Sequence, residues 1–362
     1  STIAHGASLL ISSGGIKGFA QRTINNAGAI RWSGGDIWSG SGATINNQAG
    51  GLFDLQADQT WAYNQGGNSP VLSNSGTVQK SAGTGSSTLQ PVVNNNGSLV
   101  VQSGSVNLAN GGISSGNFVV QTNATLAFNG GTHTLTNGVG FADVGTIRFQ
   151  TPSQLGTDIN FGALIVFFEG GASLTGTNTL SNGAAGMITF NKSMTVPGSM
   201  DIAGELVIGG ASLTVTINGA LTLESSGELD NPGTLNVGAF VNNGGVIVGN
   251  PPQVVPGLAP ASLRIDQIQL VRSSRVGLLD RNSASALYEV ALTWQAQPNQ
   301  GFVIESSNDL SRWTAESANV VEDSPGRYRG ALQVGATARF FRLHRLDGAA
   351  SAVSSQRSPP IQ

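Results

Sequence analysis

Between residues 1 and 260 the apolar positions come in pairs and triplets that alternate with polar or small residues. Leu206 and Ile208 form one such set, followed by Leu213, Val215 and Ile217, then Leu221 and Leu223, Leu235 and Val237, and Val246 and Val248. Alternation with a period of two over so few residues predicts short β-strands with one buried face. The strands are separated by Gly204, Asn218-Gly219, Asn231-Pro232-Gly233 and Asn243-Gly244, residue types that take tight corners at low steric cost. No apolar stripe at helical spacing runs beyond two turns here, so the pattern predicts an all-β region.

The strands also repeat a phrase. Ile24-Asn25-Asn26-Ala27-Gly28 returns as Ile45-Asn46-Asn47-Gln48-Ala49-Gly50, as Leu72-Ser73-Asn74-Ser75-Gly76 and as Val93-Asn94-Asn95-Asn96-Gly97, with starts 21, 27 and 21 residues apart. A period near 20–25 with occasional insertions predicts stacked coils of a parallel β-helix, or β-solenoid, rather than a sandwich of longer hairpins. Roughly 11–13 coils at about 4.8 Å would make a rod on the order of 55–60 Å long. Asn26, Asn47, Asn74 and Asn95 fall at equivalent corners, where amide side chains either form a hydrogen-bonded ladder or simply serve the turn. The general rule for parallel crossovers makes the solenoid right-handed.

Composition shifts sharply near residue 260. Glycine falls from 45 residues before Ala261 to 6 after it, while Lys plus Arg rises from 6 to 11. The border carries four prolines, Pro251, Pro252, Pro256 and Pro260, which are poorly suited to a central strand. The expected organisation is a solenoid over 1–248, a Pro-rich linker over 249–262, a small antiparallel β-sandwich over 263–348 and a Ser/Pro-rich tail over 349–362. Leu263–Leu270, Leu287–Trp294, Phe302–Ser306, Arg327–Val334 and Arg339–Leu346 read as the sandwich strands, with Trp294 and Trp313 as core anchors.

Bulk properties narrow the function. Glycine is 51 of 362 residues and charged residues are 10 %, against about 25 % charged in an average domain. A net charge of −3 argues against nucleic acid and against docking on anionic membranes. No apolar run approaches a membrane-spanning helix. The absence of cysteine removes disulfides, thiol nucleophiles and Cys-based zinc sites, and it fits an extracellular or surface protein. A first residue Ser1 rather than Met reads as a processed chain or a fragment.

Little in the sequence points to catalysis. His5, His133 and His344 are far apart and form no paired ligand motif, and His133, between Thr132 and Thr134, reads as a surface strand residue. A glycan-cleaving β-helix needs paired carboxylates or an acid cluster with a basic partner. Asp54 and Asp58 are four apart, and Glu224, Glu228 and Asp230 form the densest acidic group, with no base nearby in sequence. The Gly83-Thr84-Gly85 run lacks the Lys-Ser/Thr and helix of a phosphate loop. No enzyme, cofactor or metal is expected, with polysaccharide lyase or glycoside hydrolase as the alternative. Trp32, Trp38 and Trp61 cluster in the first three coils. Exposed, they would stack on sugar rings; buried, they would plug the N-terminal end of the core.

The run Ile24–Gly28, Trp32-Ser33-Gly34-Gly35, Gly42–Asn47, Lys80–Gly85 and Leu126–His133 resembles repeats of bacterial autotransporter passengers and filamentous-haemagglutinin solenoids. That resemblance covers about residues 20–250 and implies a β-helix, export, and adhesion or surface architecture. Leu292-Thr293-Trp294, Phe302–Trp313 and Arg339–Leu343 resemble a fibronectin-III-like module at the end of exported bacterial proteins. The expectation is a bacterial surface protein that joins copies of itself head to tail into a filament, or an adhesin. Ile3, Leu9, Leu10 and Ile11 are the candidate assembly strand. A glycan-binding or polysaccharide-processing exoprotein is the alternative.

Overall fold

The computed structural model describes residues 1–255, Leu258 and seven strands between residues 265 and 345. They fall into two units, Ser1–Ala261 and Ser262–Gln362.

The first unit is a parallel β-solenoid. Each turn visits three faces in order, as in Thr23–Asn26, Ala29–Trp32 and Ile37–Gly40, then Thr44–Asn47, Leu52–Leu55 and Thr60–Tyr63. The third face is one sheet of 12 strands, from Lys17–Ala20 to Val246–Gly249, and so counts the turns. At about 4.8 Å per turn the stack is roughly 50–60 Å long. The first face begins at Thr2–Ile3 and the second at Ser8–Ile11. Near the far end these two faces merge. Thr214–Leu223 runs across both, pairing first with Met194–Val196 and then with Met200–Ile202, with a register shift between Ile217 and Ala220 where it turns the corner.

The repeated phrase has a physical meaning in this stack. Ile24, Ile45, Leu72 and Val93 are register partners and point inward. The second Asn of each phrase sits at the corner, buried, and the amides form the ladder. Asn26 donates to Asn47 at 2.7 Å, Asn47 to Asn74 at 2.8 Å and Asn74 to Asn95 at 2.7 Å. Each of these amides also donates to the carbonyl that opens the second-face strand of the next turn: Leu52, Thr77, Ser98 and Asn117. Buried backbone acceptors at the corner are thereby satisfied. Close behind comes a glycine, because the turn before passes against it. A Cβ on Gly97 would lie 2.2 Å from the Gly76 carbonyl oxygen, and one on Gly76 would lie 2.3 Å from that of Gly51. The 27-residue turn keeps this register because its extra residues sit in the corners 48–51 and 64–70, outside the strands.

Along the third face the interior column is aromatic. Phe128, Phe149, Phe168 and Phe190 stack one turn apart, with ring centroids 4.8, 5.0 and 5.1 Å apart and interplanar angles of 4, 10 and 16°. Parallel register forces identical side chains into this offset stack, which adds to the burial of each ring.

The Pro-rich border does not end the solenoid at residue 248. Gln253–Val254 adds one more parallel strand, paired with Asn236 and Val237. Proline is tolerated there because the strand is an edge, and Gln253 and Val254 keep the amides that neighbouring Pro252 lacks.

The second unit has two antiparallel sheets. One orders Ile265–Arg272, Tyr288–Gln295, Arg327–Val334 and Asn319–Ser324; the other orders Thr314–Ala315, Phe302–Ser307 and Phe340–Arg345. Phe302 meets Tyr328 edge-on at 4.8 Å, so one sheet faces the other, and Leu292, Ile304 and Tyr328 are buried. The five expected strands are present, and the short strands at 314–315 and 319–324 are additional. Trp294 lies within a strand whose side chain there is outside the description. Trp313 and the 349–362 tail lie outside the described residues.

Candidate functional site

The feature that distinguishes one part of the solenoid from another is its two ends. Leu9 belongs to an interior column, in register with Ile30, Phe53 and Val78. Yet Leu9 is 36 % exposed while Ile30 is 0 %, because the first turn covers Ile30 and no described turn covers Leu9. The far end repeats this: Val237 is fully buried, and Val254, its register partner, is 54 % exposed. Leu10, Ile16 and Trp38 are also exposed in the first two turns, and Val246 and Val248 in the last. Between the ends, only Ile113 and Val144 are exposed large apolar side chains among the described solenoid residues.

Of the candidate assembly residues, Ile3 and Ile11 are partly buried against the core, while Leu9 and Leu10 face outward or open to the end. Thr2–Ile3, Ser8–Ile11 and Lys17–Ala20 each pair on one side only, with the following turn. Their other edges present backbone donors and acceptors in the spacing of a further parallel strand. Ile3 also ends the amide ladder. It is the register partner of Asn26, and Asn26 Oδ1 is left buried without a partner.

The three tryptophans do not form one platform. Trp32 and Trp61 are buried in the core with Phe19 and Phe53, in ring contacts of 6.0 to 6.3 Å. Burial is tolerated because their indole nitrogens are satisfied: Trp32 donates to the Gly35 carbonyl and Trp61 to Ser39 Oγ, each at 2.7 Å. Neither ring has a face free for a sugar, so stacking on Trp32 and Trp61 is corrected. Alternation puts them on the inner side of their strands. Trp38, one residue from Ile37, takes the outer side and is 41 % exposed, flanked in register by Gly18 and Ala62.

Lys80 and His133 are interior, and His133 is not the surface strand residue that its neighbours Thr132 and Thr134 suggest. Lys80 stands in an interior column between Leu55 and Val101 and is fully buried. Its ammonium is held by Asp58 at 2.7 Å, the Ala82 carbonyl at 3.0 Å and Ser87 Oγ at 3.1 Å. The Lys80 hydrogen bond keeps the Asp58 carboxyl below its ordinary pKa. His133 is buried, edge-on to Phe128 at 4.8 Å. Burial lowers its pKa to about 4, against hydrogen bonding to the Leu108 and Gly130 backbone, and Nε2 has no partner. On the outer side of the third face Arg148 pairs with Glu169 at 2.9 Å and lies 4.7 Å over the Phe167 ring. Burial would raise the Glu169 carboxyl, but hydrogen bonds from Arg148 and Gln150 hold it lower.

Asp54 and Asp58 diverge: Asp54 is in a strand, accepting from Gln56 at 2.8 Å, while Asp58 is in the corner with Lys80. Glu228 stands beside Glu205 in register. Asp201 shares a hydrogen bond with Glu224, and burial together with the Glu224 charge raises its pKa. Among the described residues no group of three or more His, Asp or Glu is placed to hold a metal ion. No described helix is long and apolar enough to cross a membrane. Neither a known protein family, nor a curated protein, nor a solved structure matches the chain.

Proposed function

We propose that this chain is the structural rod of an exported bacterial surface protein, and that rods join end to end into a filament. The observation that supports it is that Leu9 and Val254, in the first and last described strands of their columns, are exposed although their register partners Ile30 and Val237 are fully buried. Unpaired parallel edges and exposed core columns recruit further strands, and a contact between two different ends propagates into a fibre. The repeat resemblance to autotransporter and haemagglutinin solenoids, and the fibronectin-III-like reading of the second unit, point the same way, towards a surface scaffold or adhesin. Negative-stain electron microscopy of the purified chain over a range of concentrations tests this. Filaments that lengthen with concentration and vanish in Leu9→Asp support it; dispersed single rods at every concentration overturn it.

A second reading keeps a carbohydrate ligand, resting on Trp38 alone. Its indole lies on the outer surface between Gly18 and Ala62, small neighbours that leave a ring face open for a sugar. Polysaccharide binding that drops in Trp38→Ala supports it, and binding unchanged by that substitution removes it.

A further inference from the structure

We propose that the outer side of the third face binds an uncharged linear polysaccharide lengthwise, the sugar chain running along the rod from Trp38 to Arg148. The proposal rests on the carbohydrate reading of Trp38 above, and specifies the class of sugar, the extent of the site and its direction.

Trp38 is the one exposed large aromatic side chain among the described solenoid residues. It stands in the second strand of its sheet and is paired on both sides, with Gly18 before it and Ala62 after it. A turn stacked on an end of the solenoid would meet backbone edges and would leave this outer ring bare. A hydrogen-bonding group stands beside the ring. The long corner 64–70 brings Gln65 to Gly18, and Gln65 Nε2 lies 3.7 Å from the position that a Gly18 Cβ would take. An aromatic face next to an amide suits a sugar ring, which is apolar on its faces and hydroxylated at its rim.

The following turns continue this surface. Thr88, Asn107, Ala127 and Arg148 are register partners, and each precedes a buried residue of its strand, so all four take the outer side. Asn107 donates to Thr88 Oγ1 at 3.3 Å, and Ala127 is buried between Asn107 and Arg148 as a small residue at the floor. Two positions back along the strands, Ser86, Ser105, Thr125 and Thr146 make a parallel column of hydroxyls, in which Ser86 and Ser105 share a hydrogen bond of 2.6 Å. Five turns separate Ile37–Gly40 from Thr146–Phe149 in this sheet, roughly 24 Å at about 4.8 Å per turn.

Charge decides the class of sugar. Among the outward positions of the strands from Thr60–Tyr63 to Thr146–Phe149, Arg148 is the only ionic side chain. Its Nη1 donates to both Glu169 oxygens, at 2.9 and 3.0 Å. An acidic polysaccharide would meet no uncompensated cation here, whereas a neutral one leaves no charge without a partner. The first face presents amides too, at Asn25, Asn46 and Asn94, but no exposed aromatic ring.

The test measures binding to the full chain by isothermal calorimetry. The probes are a mixed-linkage β-glucan, a galactomannan and dextran, set against polygalacturonate and alginate, and then oligosaccharides of the polymer that binds, from disaccharide to hexasaccharide. Circular dichroism first checks that each variant keeps its β-structure. The expected result is binding of an uncharged polymer and not of the acidic ones, with affinity that rises with oligosaccharide length. Trp38→Ala should lose about tenfold or more. Thr88→Val/Asn107→Leu, which takes two hydrogen-bonding groups from the middle of the strip, should lose about tenfold. Ser73→Val/Thr134→Val removes similar groups from the outer side of the first face and should leave affinity unchanged. Binding that falls in Trp38→Ala yet gains nothing beyond the disaccharide, or that ignores Thr88→Val/Asn107→Leu, would overturn the lengthwise site and leave Trp38 as a lone platform. Preference for the acidic polymers would overturn the assigned class. A chain that binds none of the polymers would instead remove the carbohydrate reading on which the proposal rests.

Discussion

Asn47 and Asn74 are 27 residues apart, and their side chains meet in a buried hydrogen bond of 2.8 Å. The equivalent pairs on either side, 21 residues apart, have the same geometry at 2.7 Å. Register is thus fixed by the corner amide and is indifferent to the length of the loop between. The backbone agrees: Ser41 N–H donates to the Gly66 carbonyl at 2.6 Å and Gly42 N–H to that of Asn68 at 2.8 Å, so the longer loop folds onto the turn before it.

Asn47 is the ladder residue with the most to lose. Its amide donates to Asn74, to Gly51 O and to Thr77 O, and Asn26 donates to it. Asn47→Leu removes all four of these bonds; Gly51 O keeps the Thr77 N–H and Asn74 Oδ1 the Gly76 N–H, so the cost is about 1–3 kcal/mol for each remaining buried group that finds no other partner. The urea midpoint of the solenoid should fall well below that of Asn46→Leu, whose outer side chain makes one part-buried hydrogen bond, to Asn25. Equal midpoints would show that the ladder is incidental.

Phe149 sits in the middle of the aromatic column, stacked on Phe128 and Phe168. Phe149→Ala should cost about 3–5 kcal/mol, the usual price of an aromatic cavity in a packed core. Phe149→Leu should cost clearly less, because most of the volume returns. Thermal melts of the two variants decide it; the same loss in both would mean that the stack, and not the filled volume, carries the stability.

His133 makes stability depend on pH. In the unfolded chain its pKa is near 6.5, and in the fold it is about 4. The folded state therefore stays neutral while the unfolded state takes up a proton, so stability falls as pH drops from 6.5 to about 4 and the loss is complete below that. The span corresponds to about 3 kcal/mol. His133→Leu should remove this component, so the gap between variant and wild-type denaturation midpoints should change across pH 4–7. A gap constant over that range would mean that His133 is not held neutral.

Lys80 and Asp58 should respond asymmetrically to substitution. Asp58→Ala leaves a fully buried ammonium without its counter-ion and should destabilise by about 3 kcal/mol or more. Lys80→Met removes the charge, keeps most of the volume between Leu55 and Val101, and leaves Asp58, whose side chain is 40 % exposed, free to turn to water. It should cost less, and a Lys80→Met loss larger than that of Asp58→Ala, measured by chemical denaturation, would reverse the account.

Much of this fold was legible in the chain itself. The period-two sets fell on strands, although Val246 and Val248 take the exposed side of theirs and Ile247 packs on the core, and the Ile-Asn-Asn phrase marked register partners, because in a parallel stack the same position in successive turns meets the same surroundings. Ile24, Ile45, Leu72 and Val93 therefore fall in one column, and Asn26, Asn47, Asn74 and Asn95 in another. The tryptophans were less legible. Trp32, Trp38 and Trp61 share a composition and a neighbourhood, but a shift of one position along a strand reverses the side of the sheet. Only the register decided that Trp38 faces out and the other two in.

Lys80, His133 and the end residues show what a sequence leaves open. A lone lysine or histidine among strand residues reads as surface, and only packing against Asp58 or Phe128 shows it to be interior. Leu9 and Ile30 are equally apolar letters, and their difference in exposure comes from what lies on the far side of each. The sequence by itself determined the strand period, the corner chemistry and the order of the two units, since all are set by neighbours a few residues or one repeat away. The tertiary structure alone decided which members of each column are covered, because burial depends on the turn stacked above and below, and local sequence carries no record of what that turn places there.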